Sequence, residues 1–126
     1  MNETAQKLRD NSFAFALRMI KLSKYLESEK KDRVLSKQIL RSGTSIGANL
    51  RESRFAQSGP DFVSKLSIAL KEAEETAYWL ELLYASAMLS KRQFDSLHVE
   101  VDWLIGTLVN VVKSNKRRLG RAVSKT

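Results

Sequence analysis

Apolar residues recur at intervals of three and four along most of the chain, which places them on one face of an α-helix. Polar stretches interrupt this pattern three times, so the pattern predicts four helices. We expect the first helix to begin within the first ten residues and to end near Ser28, and the second to be capped by Asp32 and to end near Phe55. The third should extend from about Pro60 to Met88, and the fourth from about Lys91 to Ser114.

Helix-capping and turn-forming residues mark the connections between these helices. Gly59 can end one helix, Pro60 suits the first turn of the next, and Ser58 or Gly59 can be its N-cap. Ser90 can cap the fourth helix. Because the connections are short, neighbouring helices must be antiparallel. The sequence therefore predicts an all-α protein, an antiparallel up-and-down four-helix bundle over residues 1–114, followed by a basic, disordered tail over residues 115–126.

Each predicted helix carries an apolar stripe that we expect to face the core. The stripes consist of Phe13, Ala16, Leu17, Ile20 and Tyr25 in the first helix, Val34, Leu35, Gln38, Ile39, Ile46 and Leu50 in the second, Phe62, Leu66, Ala69, Ala73, Ala77, Leu80 and Tyr84 in the third, and Phe94, Leu97, Val101, Leu104, Leu108 and Val111 in the fourth.

The third and fourth helices carry more apolar and aromatic surface than one core stripe requires, including Trp79 and Trp103. Surplus apolar surface of this kind favours a subunit interface. The alternative is a wide core stripe with a few exposed apolar residues, which is common in monomers.

Small residues interrupt the second helix, although glycine inside a helix costs about 1 kcal/mol relative to alanine. Gly43 and Gly47 are four residues apart and share a face, so they allow another backbone to approach closely. Close helix–helix packing is the favoured interpretation, and a kink in the helix is the alternative.

A polar line on the second helix includes Arg41, Asn49 and Glu52, and a matching cluster on the third includes Glu72 and Glu75. We predict that Arg41 pairs with Glu72 or Glu75, within or between subunits. The alternative is that both faces are solvated.

Composition and charge limit the possible classes of function. The chain has 126 residues and no cysteine, which excludes disulfides and thiolate metal sites. No signal peptide or membrane-spanning run is evident, so we expect a cytoplasmic protein without a membrane partner. The net charge is +8, and its excess lies in residues 30–54 and 113–126. A basic balance suggests a polyanionic partner such as nucleic acid, or serves solubility alone.

No catalytic constellation is evident. A di-metal carboxylate site in a four-helix bundle needs two histidines, and this chain has one, His98, which we expect to be a surface or packing residue. We therefore predict a protein that is not an enzyme, with no catalytic residue, metal, cofactor or small-molecule substrate.

The central third of the chain resembles a known family. The run Gln38-Ile-Leu-Arg-Ser-Gly-Thr-Ser-Ile-Gly-Ala-Asn-Leu-Arg-Glu52, then Ser58, Asp61-Phe62, Lys65-Leu-Ser-Ile-Ala-Leu-Lys-Glu-Ala-Glu-Glu-Thr76 and Trp79-Leu80, closely resembles the four-helix bundle proteins encoded in 23S ribosomal RNA intervening sequences. The resemblance implies a bacterial bundle that assembles as a homopentamer around a central channel. It also implies a distant likeness to the accessory protein of diversity-generating retroelements, a basic pentamer that binds nucleic acid and a reverse transcriptase. The family has no established biochemical role and no catalytic residues to transfer.

Two functions remain open at this point. The first is an oligomeric protein that binds the RNA or DNA backbone, and the second is a protein-interaction scaffold with an unidentified partner. The sequence presents no aromatic stacking platform on a basic face. The candidate packing and interface residues are Gly43, Gly47, Asn49, Glu52, Glu72, Glu75, Trp79 and Trp103, and the candidate phosphate contacts are Lys37, Arg41, Arg51, Arg54, Lys113, Lys116, Arg117 and Arg118.

Overall fold

Four α-helices account for nearly all of the chain in a computed structural model that describes residues 2–124. Within those residues there is no β-strand. The helices are α1 (Glu3–Glu29), α2 (Val34–Ser53), α3 (Gly59–Ala85) and α4 (Lys91–Ser124).

Polar side chains cap the N-termini of α2, α3 and α4. Asp32 Oδ1 accepts a hydrogen bond from the Leu35 amide at 2.7 Å, and Ser58 Oγ accepts one from the Asp61 amide at 3.1 Å. Ser90 and Gln93 form a reciprocal pair, in which each side chain accepts from the backbone amide of the other residue. The caps predicted at Asp32, Ser58 and Ser90 are therefore confirmed.

Each helix packs on the next in sequence, and α1 also packs on α4. Contacts between early residues of one helix and late residues of its neighbour show that α1 and α2, α2 and α3, and α3 and α4 are antiparallel. The core contains the predicted stripes of α3 and α4 from Leu66 to Leu80 and from Leu97 to Leu108. This arrangement is the predicted four-helix bundle.

The apolar stripe predicted for α1 is wrong for three of its residues: Phe13, Leu17 and Ile20 are 62%, 50% and 37% exposed, whereas Tyr25 packs against the core. The helix carries a second, longer apolar stripe on its opposite side, and that stripe is the buried one because it extends along the whole contact with the bundle. It consists of Leu8, Phe15, Met19, Leu22 and Leu26, with Ser12 inserted between its first two members.

The glycines of α2 face α1. A methyl group added at Gly43 would lie 2.2 Å from Met19 Cγ, and one added at Gly47 would lie 3.3 Å from Ser12 Oγ. The helix is uninterrupted from Val34 to Ser53. The predicted close helix–helix packing is therefore confirmed at both glycines.

The fourth helix continues to Ser124, whereas the sequence pattern predicted an end near Ser114 and a disordered tail beyond it. Apolar periodicity weakens there, yet the half-buried Leu119 still packs against the bundle. A methyl group added at Gly59, the first residue of α3, would lie only 2.7 Å from Leu119 Cδ2. Residues 115–124 are therefore helical and not disordered as predicted, and residues 125 and 126 lie outside the described part of the chain.

Candidate nucleic-acid interface

The start of α1, the end of α2, the start of α3 and the last turns of α4 lie together at one end of the bundle. Arginines from three of these regions, Arg9, Arg54 and Arg118, line one cavity of about 690 Å³ at this end. A smaller adjoining cavity of about 200 Å³ is lined by the same three arginines. We call this end of the molecule, with Arg9, Arg51, Arg54 and Arg118, the basic end.

A third cavity, of about 450 Å³, continues the basic end along the outside of α1 and α2. Arg9, Arg51 and Arg54 line it together with one carboxylate, that of Asp10. This cavity therefore extends the basic end beyond the three arginines that line the first two cavities.

Few carboxylates neutralise the basic end. Within the described residues, Arg51, Arg54 and Arg118 form no ion pair, and the 690 Å³ cavity has no acidic residue in its lining. Arg9 donates to Gln6 Oε1 at 3.0 Å. The end consequently presents guanidinium groups to solvent, and these favour phosphate oxygens because their planar donors can bind two oxygens at once.

The predicted phosphate contacts only partly converge. At the basic end, Arg54 lines one cavity with Arg118 and another with Arg51. The remaining residues of the α4 cluster, Lys113, Lys116 and Arg117, are exposed on the same stretch of helix but do not line the cavities found there. They add positive charge around the basic end without entering it.

Lys37 lies near the opposite end of the bundle. It is exposed in the first turn of α2, and 17 residues of helix separate it from Arg54. At 1.5 Å per residue this distance is about 26 Å. The structure therefore does not bring Lys37 together with the other candidates.

Arg41 is engaged in the ion pairs predicted for it. Its guanidinium lies 3.1 Å from Glu72 Oε2 and also contacts Glu75 Oε2, both on α3 of the same chain. Trp79 Nε1 donates to the same Glu75 oxygen at 2.9 Å. The predicted pairing is confirmed, and two carboxylates thereby neutralise the charge that would favour a phosphate contact at Arg41.

The other predicted packing residues have more local partners. Asn49 Nδ2 donates to the Ser45 carbonyl within α2, and Glu52 Oε2 lies 3.3 Å from Lys65 Nζ on α3. Trp79 is half-buried against the core, whereas Trp103 is 39% exposed. Trp103 and Val99 form an apolar area on the outer face of α4.

Two residues at the basic end were missed from the sequence. Arg9 lies in an N-terminal segment of mixed charge, so no charge excess pointed to it. Phe55 is 75% exposed, and the Arg54 guanidinium lies 5.9 Å from its ring centroid. One exposed aromatic ring therefore lies beside the basic end, and the Arg54-Phe55 dipeptide is the signal that could have revealed it.

The imidazole ring of His98 packs in a small aromatic cluster on the outside of α3 and α4. Its ring stacks on Phe94 with centroids 4.7 Å apart, and its two nitrogens lie 3.2 Å from Glu81 and 3.1 Å from Asp102. The carboxylates approach different nitrogens, so the three groups do not converge on one point. Across residues 2–124 no group of three or more such side chains could hold a metal ion.

The described helices include none that is long and apolar enough to cross a membrane.

Comparison with known proteins identifies relatives of the chain. A sequence model of the 23S rRNA-intervening sequence proteins matches residues 5–110. The crystal structure of a protein of unknown function from the S23 ribosomal protein family of Bacteroides thetaiotaomicron VPI-5482 superposes with a TM-score of 0.85 and 47% sequence identity, covering 87% of this chain and 98% of that one. No protein with a curated description matches.

Proposed function

This chain belongs to the 23S rRNA-intervening sequence protein family, and we propose that it is a non-enzymatic, self-associating protein that binds the backbone of RNA or DNA through its basic end. The observation that carries the proposal is the convergence of Arg51, Arg54 and Arg118 without ion pairs among the described residues. Guanidinium groups that no carboxylate neutralises attract phosphates regardless of base sequence.

The charge around the basic end extends the surface available to a polyanion. Lys113, Lys116 and Arg117 are exposed on the last turns of α4, and no acidic residue follows Asp102 in the chain. A backbone of several phosphates could therefore contact the arginines at the end and the cations along α4 at once. We place this activity in the cytoplasm, where a chain without cysteine needs no oxidising environment.

Self-association is the second part of the proposal, and we expect a homopentamer as the family resemblance implies. The exposed stripe of Phe13, Leu17 and Ile20 on α1 and the exposed pair Val99 and Trp103 on α4 are apolar surfaces suited to contact between copies. Association would multiply the number of basic ends on one particle. The same surfaces favour the second candidate function, a protein-interaction scaffold without a nucleic-acid role.

A binding titration tests the nucleic-acid proposal and separates it from the scaffold. We expect filter binding to detect single-stranded RNA or duplex DNA at low salt, with log affinity falling linearly as log salt concentration rises. The triple variant R51Q/R54Q/R118Q should bind more weakly, and the slope should decrease by about one for each phosphate that the variant no longer neutralises.

A matched control removes the same charge elsewhere. The variant K21Q/K24Q/K37Q also loses three positive charges, but from exposed positions away from the basic end. It should retain most of the affinity and slope. Absence of binding at low salt, or equal losses in the two variants, would contradict the proposed interface.

A further inference from the structure

The cavity of about 690 Å³ at the basic end has the size and lining of a small-molecule site rather than of a flat phosphate-binding surface. Ligand pockets typically measure about 300–1,000 Å³ and combine an apolar lining with a few polar groups that orient the ligand. Here Phe62, Val63 and Leu119 supply apolar surface, and Arg9, Arg54 and Arg118 supply the charged groups. The cavity can therefore hold an anionic group together with an attached apolar or aromatic part.

The positive charge in the cavity comes from side chains and not from the start of α3. Ser58 Oγ already accepts from the Asp61 amide, and Pro60 has no amide hydrogen to offer. The Asp61 carboxylate accepts from the Gln57 amide at 3.1 Å and adds negative charge at the start of the helix. The groups suited to bind an anion are therefore the three guanidinium groups, which come from α1, the end of α2 and α4.

The nature of the anion follows from this charge. A phosphate monoester carries close to two negative charges at neutral pH and has three acceptor oxygens, whereas an internal phosphodiester carries one charge. The cavity is lined by three arginines, so it favours the group with the greater negative charge and the larger number of acceptor oxygens. This consideration selects the phosphorylated end of a strand over its middle.

We infer that this cavity binds the phosphorylated terminal nucleotide of a nucleic-acid strand, with the phosphate monoester among Arg9, Arg54 and Arg118 and the base against Phe62 and Leu119. The inference rests on the proposed nucleic-acid function and adds a specific ligand group to it. The protein would then bind phosphorylated strand ends, such as those left when an RNA or DNA backbone has been cut with retention of a terminal phosphate.

Fluorescence anisotropy with labelled single-stranded RNA of one sequence tests the inference. Three forms of the oligonucleotide are compared at fixed salt, with a 5′-phosphate, a 3′-phosphate or hydroxyl groups at both ends, and the label is attached internally. We expect one phosphorylated form to bind about tenfold more tightly than the unphosphorylated form, which is the gain that one charge-assisted hydrogen bond can provide. The form that shows the preference identifies the strand end that is bound.

Two double variants with the same charge show whether the cavity is responsible. R54Q/R118Q should lose the preference for the phosphorylated end, and K21Q/K24Q should retain it, because Lys21 and Lys24 are exposed on α1 away from the cavity. R54K/R118K keeps the charge but removes the two-pronged guanidinium geometry, so it should lose most of the preference. Circular dichroism confirms that each variant is folded before it is titrated.

The possible failures are distinguishable. Equal binding of all three oligonucleotides overturns the strand-end inference and leaves the proposed backbone binding intact. A preference that K21Q/K24Q loses as much as R54Q/R118Q also overturns it. If no oligonucleotide binds at low salt, the proposed function and the inference both fail.

Discussion

The contact between Gly43 and Met19 fixes how closely the first two helices approach. Any side chain at position 43 would overlap Met19 at its Cβ, Cγ and Sδ atoms. The glycine spacing in the sequence favoured close packing here, because two glycines on one face allow another backbone to approach despite their poor helix propensity. It could not identify α1 as the partner, because the pattern of small residues says nothing about which helix lies against it.

We expect Gly43→Ala to lower the free energy of unfolding by about 1–3 kcal/mol, since an added methyl group forces a well-packed core to shift. Gly106→Ala is the matched control. No atom lies within 4 Å of the site where its methyl group would be placed, so the better helix propensity should raise stability by up to about 1 kcal/mol. Urea denaturation monitored by circular dichroism measures both values, and a Gly43→Ala variant as stable as Gly106→Ala would contradict the packing role.

At the scale of the helix, α1 and α4 show what periodicity can and cannot determine. Periodicity correctly predicted that α1 is helical, but two apolar stripes share that helix, and only tertiary contact selects the buried one. In α4 the apolar pattern weakens after Ser114, and the helix nevertheless continues past Leu119. A single apolar contact with Gly59 at the start of α3 is too small a signal to recognise in sequence.

We expect Leu119→Ala to lower the free energy of unfolding by about 1 kcal/mol, because a half-buried leucine loses much of its apolar contact. The exposed neighbour Lys116 provides the control, and Lys116→Ala should change stability by less than about 0.5 kcal/mol. Thermal unfolding measures the difference. Equal stability of both variants would show that the last turns of α4 do not pack on the bundle.

At the scale of the whole molecule, the topology was predictable and the basic end was not. Four helical patterns with short connections dictate an antiparallel bundle. Which arginines meet at one end depends on the register of four helices against one another, and this register is set by core packing that a single sequence does not reveal. Arg51 and Arg54 were recognised from local charge, whereas Arg9 joined them only because α1 begins where α2 ends.

The exposed stripe on α1 leads to a prediction about assembly. We expect the double variant L17E/I20E to reduce the association of the protein in sedimentation velocity, because burying two carboxylates in an apolar interface is strongly unfavourable. Val34→Glu is the control, since Val34 is a highly exposed apolar residue at the start of α2, outside the α1 stripe. A wild-type protein that sediments as a monomer would contradict the self-association that we propose.

The helical state of residues 115–124 has a consequence for the energetics of ligand binding. A disordered basic tail would fold onto nucleic acid, and calorimetry would then record the large unfavourable entropy and negative heat-capacity change of coupled folding. Here the backbone that carries Lys116, Arg117 and Arg118 is already ordered before any ligand arrives. Its association with a polyanion should therefore be driven mainly by the release of counterions, with an entropy that is favourable at low salt and a smaller heat-capacity change than coupled folding would give.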